Sequence, residues 1–210
     1  MTAGSSHKHY SLLEESINVT THGLAFVLSL MALLTLTVQG YRDGSVLELI
    51  SFAIFGASLV ITYGTSTLYH STSLPSRRSW LRIVDHASIY ILIAGTYTPF
   101  TLITLQGVTG WILFGISWGM AVVGIGLKLF FTGKFEHVST AMYVFMGWII
   151  IFAFGPLMEN LSASGIRWLV AGGVSYTVGA LIYAIKKIPL NHAIFHAFTV
   201  AGSVCHFVAV

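Results

Sequence analysis

The sequence predicts an all-α integral membrane protein, a single seven-helix bundle with a cytoplasmic N-terminus. Three observations predict it: a shortage of charge, seven long apolar runs, and a lopsided distribution of Lys and Arg. Of 210 residues, 55% are hydrophobic and 8% charged, with a mean hydropathy of +0.83. Soluble domains carry about 25% charged residues, so this chain could not cover a water-facing surface. The same excess excludes a disordered chain, and the lone Cys205 excludes a disulfide scaffold. Lys and Arg lie scattered between apolar runs, which argues against nucleic acid as a partner.

A helix crossing a hydrocarbon core about 30 Å thick needs about 20 apolar residues. In order, such runs fall at 20–40, 46–69, 84–105, 109–131, 138–156, 165–186 and 191–210, and together they make one domain over 1–210. Turn signals separate several of them: Arg42-Asp43-Gly44, Leu74-Pro75-Ser76, Thr132-Gly133-Lys134 and Ile188-Pro189. Before the first run, residues 1–17 are polar and end near Glu14-Glu15. That run is too long for a signal-peptide core, so it is expected in the mature protein. Pro99 lies inside the third run and should kink it. On the fourth and sixth runs, Gly115-xxx-Gly119 and Ser175-xxx-Gly179 put small residues on one face. Close packing within the bundle is the expected use, ahead of dimer contacts. The fifth run, through Gly147-Trp148-Ile149-Ile150-Ile151-Phe152-Ala153-Phe154, lacks the alternation of an outer-membrane barrel strand. Trp80, Trp111 and Trp168 fall near the interfaces and read as belt anchors.

Positive charge sets the direction. With the N-terminus inside, the inner segments hold Lys8, Arg77, Arg78, Arg82, Lys128, Lys134, Lys186 and Lys187, and the outer ones only Arg42 and Arg167. In a bacterium the expected location is the inner membrane. A reporter fused before Met1 should read the cytoplasm and one after Val210 the outside; both on one side would require an even number of spans.

An ionisable group within a membrane costs about 2.5–3.5 kcal/mol on insertion scales, so each needs a reason. The candidates are Glu15, Asn18, His22, Ser66, His70, Asp85, His86, His192, His196 and His206. The topology puts nearly all of them in one layer at the cytoplasmic side. Ser66 and His70 end the second span, Asp85 and His86 occupy the first turn of the third, and His192 and His196 begin the seventh. His192 and His196 stand at i and i+4 on one helix face, where two imidazoles can share a metal ion. His70 and Asp85 lie at the same depth. Three imidazoles with one open position form the layout of a catalytic zinc site.

Plainer readings compete. His7, His9, His137 and His86 suit contact with headgroups, and Ser66 suits a hydroxyl bonded back to its own helix. Glu15 and Asn18 suit a helix-start cap as well as a polar role near the site. His206 lies ten residues beyond His196, about 15 Å along the axis. That is too far for the same metal and suits packing or hydrogen bonding.

Glu15-xx-Asn18-xx-Thr21-His22, Ser66-xxx-His70, Asp85-His86 followed by Gly95-Thr96-Tyr97-Thr98-Pro99-Phe100, and His192-xxx-His196 appear in this order along the whole chain. In these motifs the sequence resembles the bacterial hemolysin III branch of the progestin and adipoQ receptor family, closely its enterobacterial inner-membrane members. The resemblance implies an intramembrane zinc held by His70, His192 and His196. It implies that Asp85 contacts the zinc's water and that Ser66 lies beside the site. It also implies a likeness to alkaline ceramidases.

Three functions compete. The first is a zinc hydrolase acting on a lipid-like amide or ester, with Asp85 as general base and Ser66 steadying the oxyanion. Membrane lipid is then both surroundings and source of substrate. The second is a non-catalytic sensor or homeostasis factor in which zinc only ties helices together. The third is a cytolysin, as the family label has it. It is the least favoured, because the polar groups cluster on one side instead of lining a continuous path.

Overall fold

We describe a computed structural model of the protein, covering residues 10–42, 44–131 and 136–210. His7, Lys8, His9, Asp43 and Thr132-Gly133-Lys134 lie outside the described residues. The described chain is helical, with no strand. Its elements are α1 (Leu12–Arg42), α2 (Val46–Ser71), α3 (Pro75–Pro99), α4 (Gly107–Phe131), α5 (Glu136–Trp148), α6 (Phe154–Asn160), α7 (Ala163–Ala184) and α8 (Asn191–Ala209). They make seven helices long and apolar enough to cross a membrane; α3 runs on to Leu105, and α5 and α6 share the fifth.

Two helices begin earlier than expected, and the reason is capping. The Ser11 hydroxyl accepts the Glu14 amide at 3.1 Å, so α1 starts at Leu12 rather than near residue 20. Pro75 opens α3 at its first position, where a missing N–H costs nothing. Leu74-Pro75-Ser76 is therefore a helix start as much as a turn. Arg77, Arg78 and Arg82 are helical, and Asp85 sits about three turns in, not in the first turn.

Both interrupted spans contain a proline. Pro99 cannot donate to the carbonyl four residues back, and from Phe100 to Leu105 the helix widens to a π-helix. The chain then reverses at Gln106 and Gly107, both at positive φ, 50° and 55°. In the fifth span, Pro156 has no N–H, and the segment Ile149–Ala153 tightens into a 3₁₀ turn. Tyr97 supports that break: its hydroxyl donates to Gly147 O at 3.0 Å and accepts the Ile150 N–H at 2.9 Å. The expected span at 138–156 is thus present as His137–Asn160, built of two helices joined by this turn.

The third span lies at the centre, 72% buried against 22% for the first. Phe52, Phe55 and Leu59 of α2 pack with Ala25 and Leu36 of α1 and Leu92 of α3. On its other side, Tyr90, Ala94 and Tyr97 meet Leu113 and Ala121 of α4 and Met146 and Ile149 of the fifth span. Groups on α3 therefore face the interior of the bundle. Trp80, Trp111 and Trp168 are exposed, as belt anchors would be.

The small-residue pairs divide. Ser175 donates to Phe198 O at 2.8 Å, and Gly179 lies so close to Phe198 that a methyl there would sit 2.8 Å from its Cβ; this pair packs α7 on α8. Gly115 and Gly119 instead face outward with nothing near, so their expected packing within the bundle is corrected. The close approach on α4 is at Gly124, where a methyl would enter the Tyr90 ring. Gly124→Ala should cost about 1–3 kcal/mol by overpacking, whereas Gly115→Ala should be neutral or stabilising. Equal losses in thermal unfolding of the two purified variants would contradict this.

Candidate metal centre

The site forms where the first turns of α1 and α8, the last turns of α2 and the inner half of α3 meet. Asn191 sets the start of α8. Leu190 before it takes a left-handed φ of 55°, and the Asn191 amide donates to Tyr183 O at the end of α7, 2.9 Å away. From that fixed start, His192 and His196 project from one face toward α2.

His70, His192 and His196 are buried, and one nitrogen of each lies within 4.8 Å of the others. The Nε2 atoms of His70 and His192 face each other at 3.1 Å. On its far side, His70 Nδ1 lies 2.6 Å from Glu15 Oε2. Glu15 is itself paired with Arg78, so its carboxylate accepts and His70 Nδ1 carries the hydrogen. His70 Nε2 is then a bare lone pair directed at His192, a contact that calls for a proton or a metal between the rings. Arg78 also donates to Thr72 O at 3.0 Å, tying the ion pair to the end of α2.

Zinc takes imidazole nitrogens at about 2.0–2.1 Å in a tetrahedron, which sets them about 3.3 Å apart. The facing pair already has nearly that spacing, and His196 keeps a buried Nδ1 with no hydrogen-bond partner. A carboxylate on the remote nitrogen of a ligating histidine is the usual outer support. The donor set fits zinc.

Asp85, 7% exposed, lies beside Ser66. With His22, His192 and His196 they line a cavity of about 120 Å³ whose remaining walls are mostly apolar. A second cavity, of about 310 Å³, shares Thr96, Tyr97, Trp148 and His206 with it. Tyr10, just before α1, stacks on His192 with centroids 4.8 Å apart, at the end of the bundle where α1 and α8 begin. Burial pushes its phenol above the ordinary value.

The structure thus brings together His70, His192, His196, Asp85 and Ser66, and adds Glu15, Asn18 and His22. Asn18 is fully buried, its amide 3.4 Å from His70 Nδ1. Glu15 and Asn18 are therefore not caps; Ser11 has that role. Ser66 does not bond back to its helix; its buried hydroxyl lies beside Asp85 instead. His86 lines the cavity instead of reaching headgroups, while His137 is exposed. His206 stands apart as expected, near Leu169 O at 3.2 Å. Sequence reasoning missed Arg78 and Tyr10, whose partners are distant in sequence and carry no local signal. Lys128 is 4% exposed on α4 and also lines the cavity. Its place between Leu127 and Leu129 was a signal that charge counting passed over.

Residues 10–207 match the family described as Haemolysin-III related. The chain is 45% identical to Hemolysin-3 of Bacillus cereus over 94% of its own length and 90% of the relative's. It is 43% identical to the Hemolysin-3 homolog of Bacillus subtilis (strain 168), over 96% and 94%. A more distant relative is the human monocyte to macrophage differentiation factor, 28% identical over 78% of this chain and 70% of that one. No solved structure matches.

Proposed function

The chain belongs to the Haemolysin-III related family of multi-pass membrane proteins, and from that premise we propose that it is a zinc-dependent hydrolase of a lipid-like amide or ester. The observation that carries the reading is a buried carboxylate beside a buried serine hydroxyl on the wall of an apolar cavity that two members of the three-histidine cluster, His192 and His196, also line. His70, His192 and His196 hold the metal, and Glu15 fixes the tautomer of His70. When bound, zinc serves as a Lewis acid that polarises a carbonyl and makes water a nucleophile near neutral pH.

The protein's own groups do the rest. Asp85 orients the water and takes its proton on a carboxylate oxygen, as a general base. Ser66 donates its hydroxyl hydrogen to the carbonyl oxygen as charge develops there. Apolar walls hold the acyl chain and keep bulk water out. This reading places the protein in the cytoplasmic membrane of a bacterium, with the site toward the cytoplasm and membrane lipid as the source of substrate.

The test is turnover by purified, zinc-loaded protein on a panel of long-chain N-acyl amino alcohols and dodecanoate esters. Product release that stops with chelator and returns with zinc is expected. A fully loaded protein inert on the whole panel would leave zinc a structural tie between α2 and α8.

A further inference from the structure

A fourth imidazole stands at the centre and has no assigned task. His22 of α1 is 3% exposed, and both of its ring nitrogens are buried without a hydrogen-bond partner. It lies face to face with His196, centroids 3.5 Å apart and planes within 9°, and edge-on to Tyr63 at 5.0 Å. It also lines the cavity that Ser66 and Asp85 line.

The stacking decides what His22 cannot be. An imidazole binds zinc through an in-plane lone pair, at about 2.0–2.1 Å. An ion in the plane of His196 lies about one ring spacing off the parallel plane of His22, beyond its in-plane lone pairs. His22 is therefore not a fourth ligand of the same ion. Leaving two polar nitrogens buried and unpaired is costly, so a partner has to come from the cavity.

The chemistry of that partner follows from the ring. A neutral imidazole offers one N–H donor and one bare acceptor, and only a group that both donates and accepts can satisfy both. An anion would meet the donor alone and face the Asp85 carboxylate; a cation would meet only the acceptor. We propose that His22 is a binding residue for the neutral head group, a hydroxyl or an amide, of an amphiphile lying in the cavity. This rests on the cavity being a ligand site and is independent of turnover.

The test uses zinc-loaded full-length protein in detergent, with dodecanamide as the polar probe and dodecane as the apolar one. Binding is read from the fluorescence of Trp148, which lines the cavity, alongside zinc content and the thermal midpoint. Phenylalanine keeps the stack and removes only the two nitrogens. H22F should keep its zinc and thermal midpoint, bind dodecane like the wild type, and bind dodecanamide about 5- to 100-fold more weakly. H22Q, which restores a donor and an acceptor, should recover most of that loss.

Three outcomes overturn the proposal. They are loss of zinc in H22F, unchanged dodecanamide affinity in H22F, or a wild type that does not prefer dodecanamide to dodecane. Should H22F fail to fold, H22Q with unchanged zinc but no dodecanamide binding would overturn it, and H22Q with both retained would support it. His22-dependent binding without any turnover would sustain this inference while the hydrolase reading falls. Turnover with His22-independent binding would do the reverse.

Discussion

Alanine at His70, His192 or His196 should strip the protein of most of its zinc, while wild type purified at neutral pH without chelator should carry a stoichiometric amount. The expected loss follows from the site's construction. Each histidine would supply one of three protein donors, and the cluster spans α2 and α8, which are otherwise joined through Tyr63 on Thr199 and Ser203. Removing an outer support already costs about 10–100-fold in metal affinity. Removing a donor outright should cost more, and the thermal midpoint should drop with it as the two helices lose their tie. Glu15→Gln provides the graded comparison. It keeps the size of the side chain but weakens the contact with His70 and the pair with Arg78, so its metal loss should fall within that 10–100-fold range. Zinc-free wild type, or alanine variants that retain full zinc, would rule out the three-histidine site.

Asp85→Asn separates a catalyst from a staple. A structural zinc that uses Asp85 to complete its coordination would lose metal or stability in this variant. In the hydrolytic reading, three imidazoles keep the zinc and Asn keeps the shape, while the proton acceptor is gone. Turnover should then fall by about 10²–10⁴-fold, the usual weight of general base catalysis, with zinc content unchanged and the midpoint little altered. Full activity in Asp85→Asn on a confirmed substrate would remove Asp85 from the mechanism. Metal loss without a selective loss of turnover would favour the tie between helices.

The bundle and the core of its site were legible because membrane physics writes both in residue types. Apolar runs must be long enough to cross, and a histidine inside one is too costly to be incidental. The i and i+4 spacing of His192 and His196 survives any error in helix ends, so depth and spacing together singled out His70 as well. What stayed hidden depends on contacts between helices. Arg78 read as one more cytoplasmic charge, although it anchors the carboxylate behind His70 from 63 residues away. His22 was visible as a polar residue in a membrane, but its parallel stack on His196 is a matter of how α1 lies against α8. Gly115 and Gly119 show the limit of pattern alone: their spacing suggests packing, and only the rotation of α4 shows that they face outward.

The pairing of His70 with His192 joins positions 122 residues apart in sequence, and this gives the centre a place in time. Glu15, His22, Ser66, His70 and Asp85 emerge in the first half of synthesis, whereas the last two donors belong to the final helix. At about 5–20 residues per second, the early half waits about 6–24 s for them. The complete three-histidine cluster thus exists only once α8 has been made, so any loading with metal would be a late step of biogenesis. A chain cut short before residue 192 would reach the membrane with most of its helices and no centre.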